Sequence, residues 1–156
     1  MQKVQPDLGA LIVWNLVQDE KRIQFVNGMA ANDPVSTLQI WKFVIDRYPG
    51  EGGTCVFFNS RDDRPVRTRQ LIELTFEEIK PDYFIVRGDK IEGTIERLQH
   101  HSPVTKVFTI GLDQDLDIVG NELMSLPHDT LVYAIGNQVG AGQEILNKLS
   151  EFKHHG

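Results

Sequence analysis

The sequence predicts an α/β fold: a Rossmann-like, three-layer αβα domain with a mostly parallel sheet that opens on an antiparallel hairpin. Apolar, β-prone runs at 54–58, 83–86, 106–110 and 131–135 recur about every 25 residues, which leaves room for one crossover helix in each interval. The intervals themselves carry helical spacing and helix punctuation. Ahead of them, apolar runs at 10–17 and 22–26 flank the polar turn Gln18-Asp19-Glu20-Lys21, which predicts two antiparallel strands.

Each element follows from a local signal. Asp33 caps a helix with Pro34 in its first turn, and Leu38, Trp41, Val44, Ile45 and Tyr48 recur at helical spacing until Pro49-Gly50 ends it. Pro65 opens a second helix containing Val66, Leu71, Leu74 and Ile79. A short helix is expected within 89–98 despite Gly93, and longer ones over 116–126 and 142–152. Nothing divides the chain, so residues 1–156 are read as one domain. His154-His155-Gly156, native or a tag remnant, enters no functional argument.

Composition narrows the functions. The net charge of −6 supplies no basic field for nucleic acid or anionic lipid. No window approaches the roughly 18 apolar residues of a membrane span, and residues 1–7 lack the regions of a signal peptide. A cytoplasmic location is expected, with any membrane association made through a segment or subunit outside this chain. The single cysteine, Cys55, lies within an apolar strand and reads as a buried structural thiol.

In parallel α/β sheets, ligands bind beyond the carboxyl ends of the strands. Here those ends read Asn27-Gly28, Asn59-Ser60-Arg61, Arg87-Gly88, Gly111 and Gly136-Asn137. The candidate binding residues are therefore Asn27, Asn32, Asp33, Asn59, Arg61, Arg64, Gly136 and Asn137. Gly and Asn also suit turns that need positive φ, and that reading stays beside the functional one. Arg61, Arg64, Arg67 and Arg69 cluster at one strand-to-helix junction, where guanidinium groups suit phosphate or carboxylate, with Asp62 and Asp63 as local counter-charges.

Several chemistries lack their residues. Gly136-Asn137-Gln138-Val139-Gly140-Ala141-Gly142 is neither a P-loop nor a dinucleotide fingerprint. No nucleophile elbow is present, His100 and His101 are adjacent, and His128 has no evident partner, so no metal is assigned to protein ligands.

The run from Gln24 to Lys42, QFVNGMAANDPVSTLQIWK, closely resembles the carboxyl-terminal domain of the poly-γ-glutamate synthase ligase subunit, the PgsB/CapB family. Asn59-Ser60-Arg61-Asp62-Asp63-Arg64 with Arg67-Thr68-Arg69-Gln70 is similar to that family's Asn-x-Arg-x-Asp-Arg stretch and its sequel. Tyr133-Ala134-Ile135-Gly136-Asn137 with Gly140 resembles its last strand and turn, and Pro6-Asp7-Leu8-Gly9 the opening of the same domain. The likeness covers nearly the whole chain.

The resemblance implies a relative of the Mur ligases and folylpolyglutamate synthases. These three-part enzymes use ATP and Mg²⁺ to convert a carboxylate to an acyl phosphate, which an amine then attacks. It implies that this chain is the third part, catalytically incomplete alone, and that its partners are a P-loop-bearing central domain, glutamate, the poly-γ-glutamate chain and other synthase subunits. Related ligases often carry Asp-x-Ala-His-Asn-Pro after the opening strands. This chain lacks the His and has Asn27 for the Asp, so the resemblance carries over Asn32 and Asn27 alone. Two other functions stay open: a free-standing nucleotide-binding module, and a domain for subunit assembly without catalysis.

Overall fold

The first two apolar runs pair with each other across a two-residue turn. β1 (Ile12–Gln18) and β2 (Lys21–Asn27) are antiparallel, in register from Gln18↔Lys21 to Ile12↔Asn27. Asp19 takes φ +56, the left-handed region that Asp enters more readily than most residues. This computed structural model describes residues 12–31, 33–60 and 64–153. Asn32, Arg61, Asp62, Asp63, the Pro6-Asp7-Leu8-Gly9 motif and residues 154–156 lie outside that description.

The remaining strands are parallel to β2. They are β3 (Thr54–Asn59), β4 (Tyr83–Arg87), β5 (Lys106–Ile110) and β6 (Leu131–Gly136), in the sheet order β1-β2-β6-β3-β4-β5. The chain steps outward from β3 to β5, then returns to insert β6 between β2 and β3. Crossovers between parallel strands are right-handed, so the reversal of direction moves the connecting helix to the other face.

The two cores follow that topology. Ile40, Trp41 and Val44 of α1 (Pro34–Arg47), Leu71 and Ile72 of α2 (Pro65–Leu74), and Ile95 of α3 (Glu92–Leu98) pack on Val26, Val56, Phe58, Val86, Tyr133 and Ile135. On the opposite face, Val119 and Leu123 of α4 (Asp117–Met124) join Ile145, Leu146 and Leu149 of α5 (Ala141–Leu149). These meet Phe25, Cys55, Phe57, Ile85, Val132 and Ala134. Alternate residues of each strand thus face alternate cores, as the two-residue period of a strand requires. The expected three-layer αβα arrangement is the one observed.

Local chemistry fixes the boundaries. Asp33 caps α1, its carboxylate accepting the Ser36 backbone N–H at 2.8 Å, with Pro34 in the first turn. The run from Pro65 is α-helical only to Leu74 and continues as a wider turn over Thr75–Ile79, where the Thr75 hydroxyl donates to Leu71 O at 2.8 Å. α3 tolerates Gly93 within its seven residues. Cys55 is wholly buried, and burial pushes its thiol far above its ordinary range, which makes it a packing residue.

One contact set locks β6 to the first helix. The buried Tyr133 hydroxyl donates to Thr37 O at 2.9 Å, and Trp41 stacks on the Tyr133 ring at 5.6 Å. A Cβ on Gly28 would strike that ring, so the chain leaves β2 through a residue without a side chain.

Replacing Asp33 with Ala should cost about 1 kcal/mol, the usual worth of an N-cap, with Asp33→Asn retaining most of it. The Ser36 amide holds the Asp33 carboxyl below its ordinary range. Its contribution is therefore full above the ordinary carboxylate pKa of about 3.9 and is lost as pH falls through the lower folded value. Urea denaturation at pH 7 and at pH 3 checks this: the gap between wild type and Asp33→Ala should narrow at the lower pH.

Candidate functional site at the strand carboxyl ends

β6 carries its helix, α5, on one face, while its neighbours β2 and β3 carry α1 and α2 on the other. The crevices beside β6 are thus topological switch points, where helix N-termini diverge and leave room beyond the strand ends. Every strand-end candidate within the described residues lies along this edge.

Asn27, Asn59 and Asn137 are joined to their surroundings rather than pointing freely outward. Asn27 Oδ1 accepts the Met29 amide at 3.0 Å, and its Nδ2 donates to Gln138 Oε1 at 3.3 Å. Asn59 is 1% exposed, and its Nδ2 donates to Asn137 O at 2.8 Å while its backbone carbonyl accepts the Asn137 N–H at 2.9 Å. Asn137 Nδ2 then donates to Val139 O at 3.0 Å. These side chains build the edge.

Gly136 has a steric reason to be glycine. Its φ is +100, and a Cβ would run into the Asn59 carbonyl and the Phe58 ring. Gly142 is similarly pressed against the Asn137 carbonyl, which lets α5 start close beneath the turn. Asp33 belongs to the cap of α1.

Three hollows line the edge. Between β2 and β6, Met29, Ala30, Asn137, Gln138, Val139 and Gln143 surround about 350 Å³. Between β6 and β3 lies a narrow slot of about 20 Å³, walled by Phe58, Asn59, Arg64, Arg67, Gly136 and Asn137 among others. Between β3 and β4 the largest, about 480 Å³, is lined by Ser60, Thr68, Arg69, Lys90, Ile91 and Thr94, with Asp89 on its rim.

The charged walls come from α2 and the β4–α3 turn. Arg64 sits at the N-cap position of α2 and is exposed, and Arg67 and Thr68 follow one turn on. With the first-turn amides of a ten-residue helix behind them, these groups can hold phosphate or carboxylate oxygens. The sequence marked Arg64 correctly as an edge residue. It named Arg87 as a strand end without making it a binding candidate, and Arg87 is buried beneath the edge; it did not single out Lys90, whose backbone takes φ +56 at the lip of the largest hollow. A cation ending an otherwise apolar strand was the available signal for Arg87.

The described histidines belong elsewhere. His100 and His101 precede β5, and His128 precedes β6, at the opposite end of the sheet. There His101 Nε2 lies 3.3 Å from Glu77, and His128 Nδ1 accepts the Arg22 N–H at 3.0 Å. Among the described residues no three His, Cys, Asp or Glu side chains converge as a metal site, and no helix is long and apolar enough to cross a membrane.

Substituting Gly136 with Ala should destabilise the fold by about 2–4 kcal/mol, through backbone strain plus overpacking against Asn59 and Phe58. Gly140→Ala, at φ +73 with no neighbouring atom in the way, should cost less. Denaturation midpoints of the two variants measured together separate steric crowding from backbone strain.

Comparison with known proteins agrees with this architecture. The PGA synthase CapB of Bacillus subtilis (strain 168) is 30% identical over 155 residues, covering 98% of this chain and 39% of that protein. The capsule biosynthesis protein CapB of Bacillus anthracis is 31% identical over 161 residues, covering 97% of this chain and 32% of that protein. The chain thus spans less than half the length of these curated relatives. Among solved structures, MurF from Acinetobacter baumannii superposes with a TM-score of 0.54 over 88% of this chain and 30% of that one, at 12% identity, a likeness of fold alone. Residues 13–152 match the family model for the poly-gamma-glutamate synthase CapB C-terminal domain, and the chain belongs to that family.

Proposed function

We propose that this domain is the carboxyl-terminal part of an ATP-dependent acid–amino acid ligase of poly-γ-glutamate capsule synthesis. It contributes nucleotide and glutamate contacts to a site shared with a P-loop-bearing central domain. The observation that carries this reading is the one-sided cationic edge. Arg64, Arg67, Arg69 and Lys90 gather around the slot and the largest hollow, in a chain whose net charge is −6.

The geometry supports a division of labour. Arg64 and Arg67, beside the rigid Gly136-Asn137 turn, suit the phosphates of a nucleotide. Arg69 and Lys90, with the Thr68 and Thr94 hydroxyls, suit carboxylates of glutamate or of the growing chain. Mg²⁺ would be held through the nucleotide's own phosphates and the opposing domain, where it neutralises developing charge. This chain's residues bind and orient, and they stabilise negative charge at the transferring phosphoryl group once the edge is covered.

In the full-length ligase, Arg64→Ala should lower kcat/KM for ATP in glutamate-dependent turnover by about 10- to 100-fold. The thermal midpoint should stay within about 2 °C, because Arg64 is exposed and away from the core. Arg64→Lys should recover only part, since an ammonium cannot reproduce bidentate contact. Unchanged turnover in both variants would remove the edge from the site. Normal turnover with lost co-purification of other synthase subunits would favour an assembly role instead.

A further inference from the structure

Arg87 is the only charged side chain among the described residues that is buried, at 7% exposure. It ends β4, and its guanidinium lies across the carboxyl end of the sheet. Nη1 donates to Asn59 Oδ1 at 3.0 Å, and Nη2 donates to Leu112 O, in the turn after β5, at 3.3 Å. Its carbonyl accepts both the Ser60 N–H at 3.0 Å and the Ser60 hydroxyl at 2.9 Å. Gly88, next in the chain, has no room for a Cβ against that same hydroxyl. Backbone and side chain of Arg87 are thus both fixed.

The donor chemistry of this contact has a consequence for Asn59. A carboxamide can rotate to exchange its oxygen and its NH₂, but a guanidinium only donates. With Arg87 beneath it, Asn59 must turn its oxygen inward, and its NH₂ then faces the Asn137 carbonyl at 2.8 Å. An apolar side chain of similar length would fill the space under β3 without the cost of burying a cation. What the cation adds for Asn59 is a donor that holds the amide oxygen inward. Asn137 in turn walls the slot shared with Arg64 and Arg67, and its carbonyl seats the start of α5.

We propose that Arg87 is a positioning residue that acts through the Asn59 amide to hold the Gly136–Asn137 turn in the geometry a bound nucleotide meets. The proposal rests on the shared-site reading above for its ligand, while the relay from Arg87 to Asn137 stands on hydrogen bonds alone. Its reach is indirect: Arg87 bonds Asn59, which walls the slot beside Arg64.

Two variants of the full-length ligase test it. Arg87→Met removes the donor. Asn59→Asp leaves Arg87 with a stronger, charge-assisted partner but turns an oxygen toward the Asn137 carbonyl. Both should speed amide hydrogen exchange in a peptide covering residues 136–142 by about tenfold and raise the KM for ATP by a similar factor, the scale of lost support behind a binding group. Asn59→Asp should do so with its thermal midpoint close to wild type. A merely structural Arg87 predicts a lowered thermal midpoint for Arg87→Met with exchange in 136–142 and the KM for ATP unchanged. Unchanged exchange in 136–142 in Asn59→Asp overturns the relay even if Arg87→Met fails to fold. Faster exchange with unchanged KM, in an enzyme where Arg64→Ala does impair ATP use, overturns the link from the turn to the nucleotide. Should Arg64→Ala be silent as well, the shared-site reading has failed and the exchange data alone judge the relay.

Discussion

The insertion of β6 between β2 and β3 is the constraint on which the rest of the molecule depends. All six of its residues are buried, and it pairs with both neighbours. Before it arrives, β2 and β3 have no common partner, and the sheet is two separate pieces. Its side chains divide between the two cores, Tyr133 and Ile135 to one and Val132 and Ala134 to the other, so the strand joins the layers as well as the pieces. The Tyr133 hydroxyl on Thr37 O and the Trp41 stack set its depth against α1. The pairing bridges distant parts of the sequence, so chain closure opposes it until the apolar burial on both faces outweighs that entropy.

Because β6 reverses the order of the strands, it also opens the crevices that form the candidate site. The fold fills their floor with neutral amides and glycines, not carboxylates. An amide donates and accepts at once, so Asn27, Asn59 and Asn137 can tie neighbouring strand ends together without adding charge. Asp at the same positions would satisfy the acceptor half and cancel part of the field from Arg64, Arg67, Arg69 and Lys90. A floor of amides leaves that field facing outward, with Asp89 on the rim of the largest hollow as a local counter-charge.

Much of this was legible in the sequence because local signals and global packing agree. Asp33-Pro34 marked the start of α1 within a residue, and the regular recurrence of apolar runs yielded four of the parallel strands. The strand order was not legible: nothing in residues 131–136 says that the last strand returns to the middle, since that choice is made by crossover handedness and by which neighbours remain unpaired. Nor was the division of labour at the edge. Asn59 and Arg64 are both polar residues after an apolar run, yet one is consumed by Asn137 and Arg87 and the other faces solvent. Which of two polar groups five residues apart turns inward depends on donors delivered by a strand nearly thirty residues away. The wider turn at Thr75–Ile79 was hidden for a different reason, because the apolar spacing continues through it while the hydrogen bonding changes.

The openness of the edge bears on how the proposed shared site would work. A guanidinium and a phosphate oxygen about 4 Å apart attract by roughly 1 kcal/mol in bulk water and by about 4 kcal/mol at an effective dielectric of 20. Arg64 is exposed, so alone it operates near the weaker limit. Covering the edge with a second surface moves the same contact toward the stronger limit without altering a residue of this domain. In the proposed shared site, the affinity of the strand-end edge for an anion is then a property of the closed pair, and the proposed Arg87–Asn59–Asn137 relay acts within it. If the relay holds the turn before closure, ordering it takes nothing from the interaction that closure strengthens.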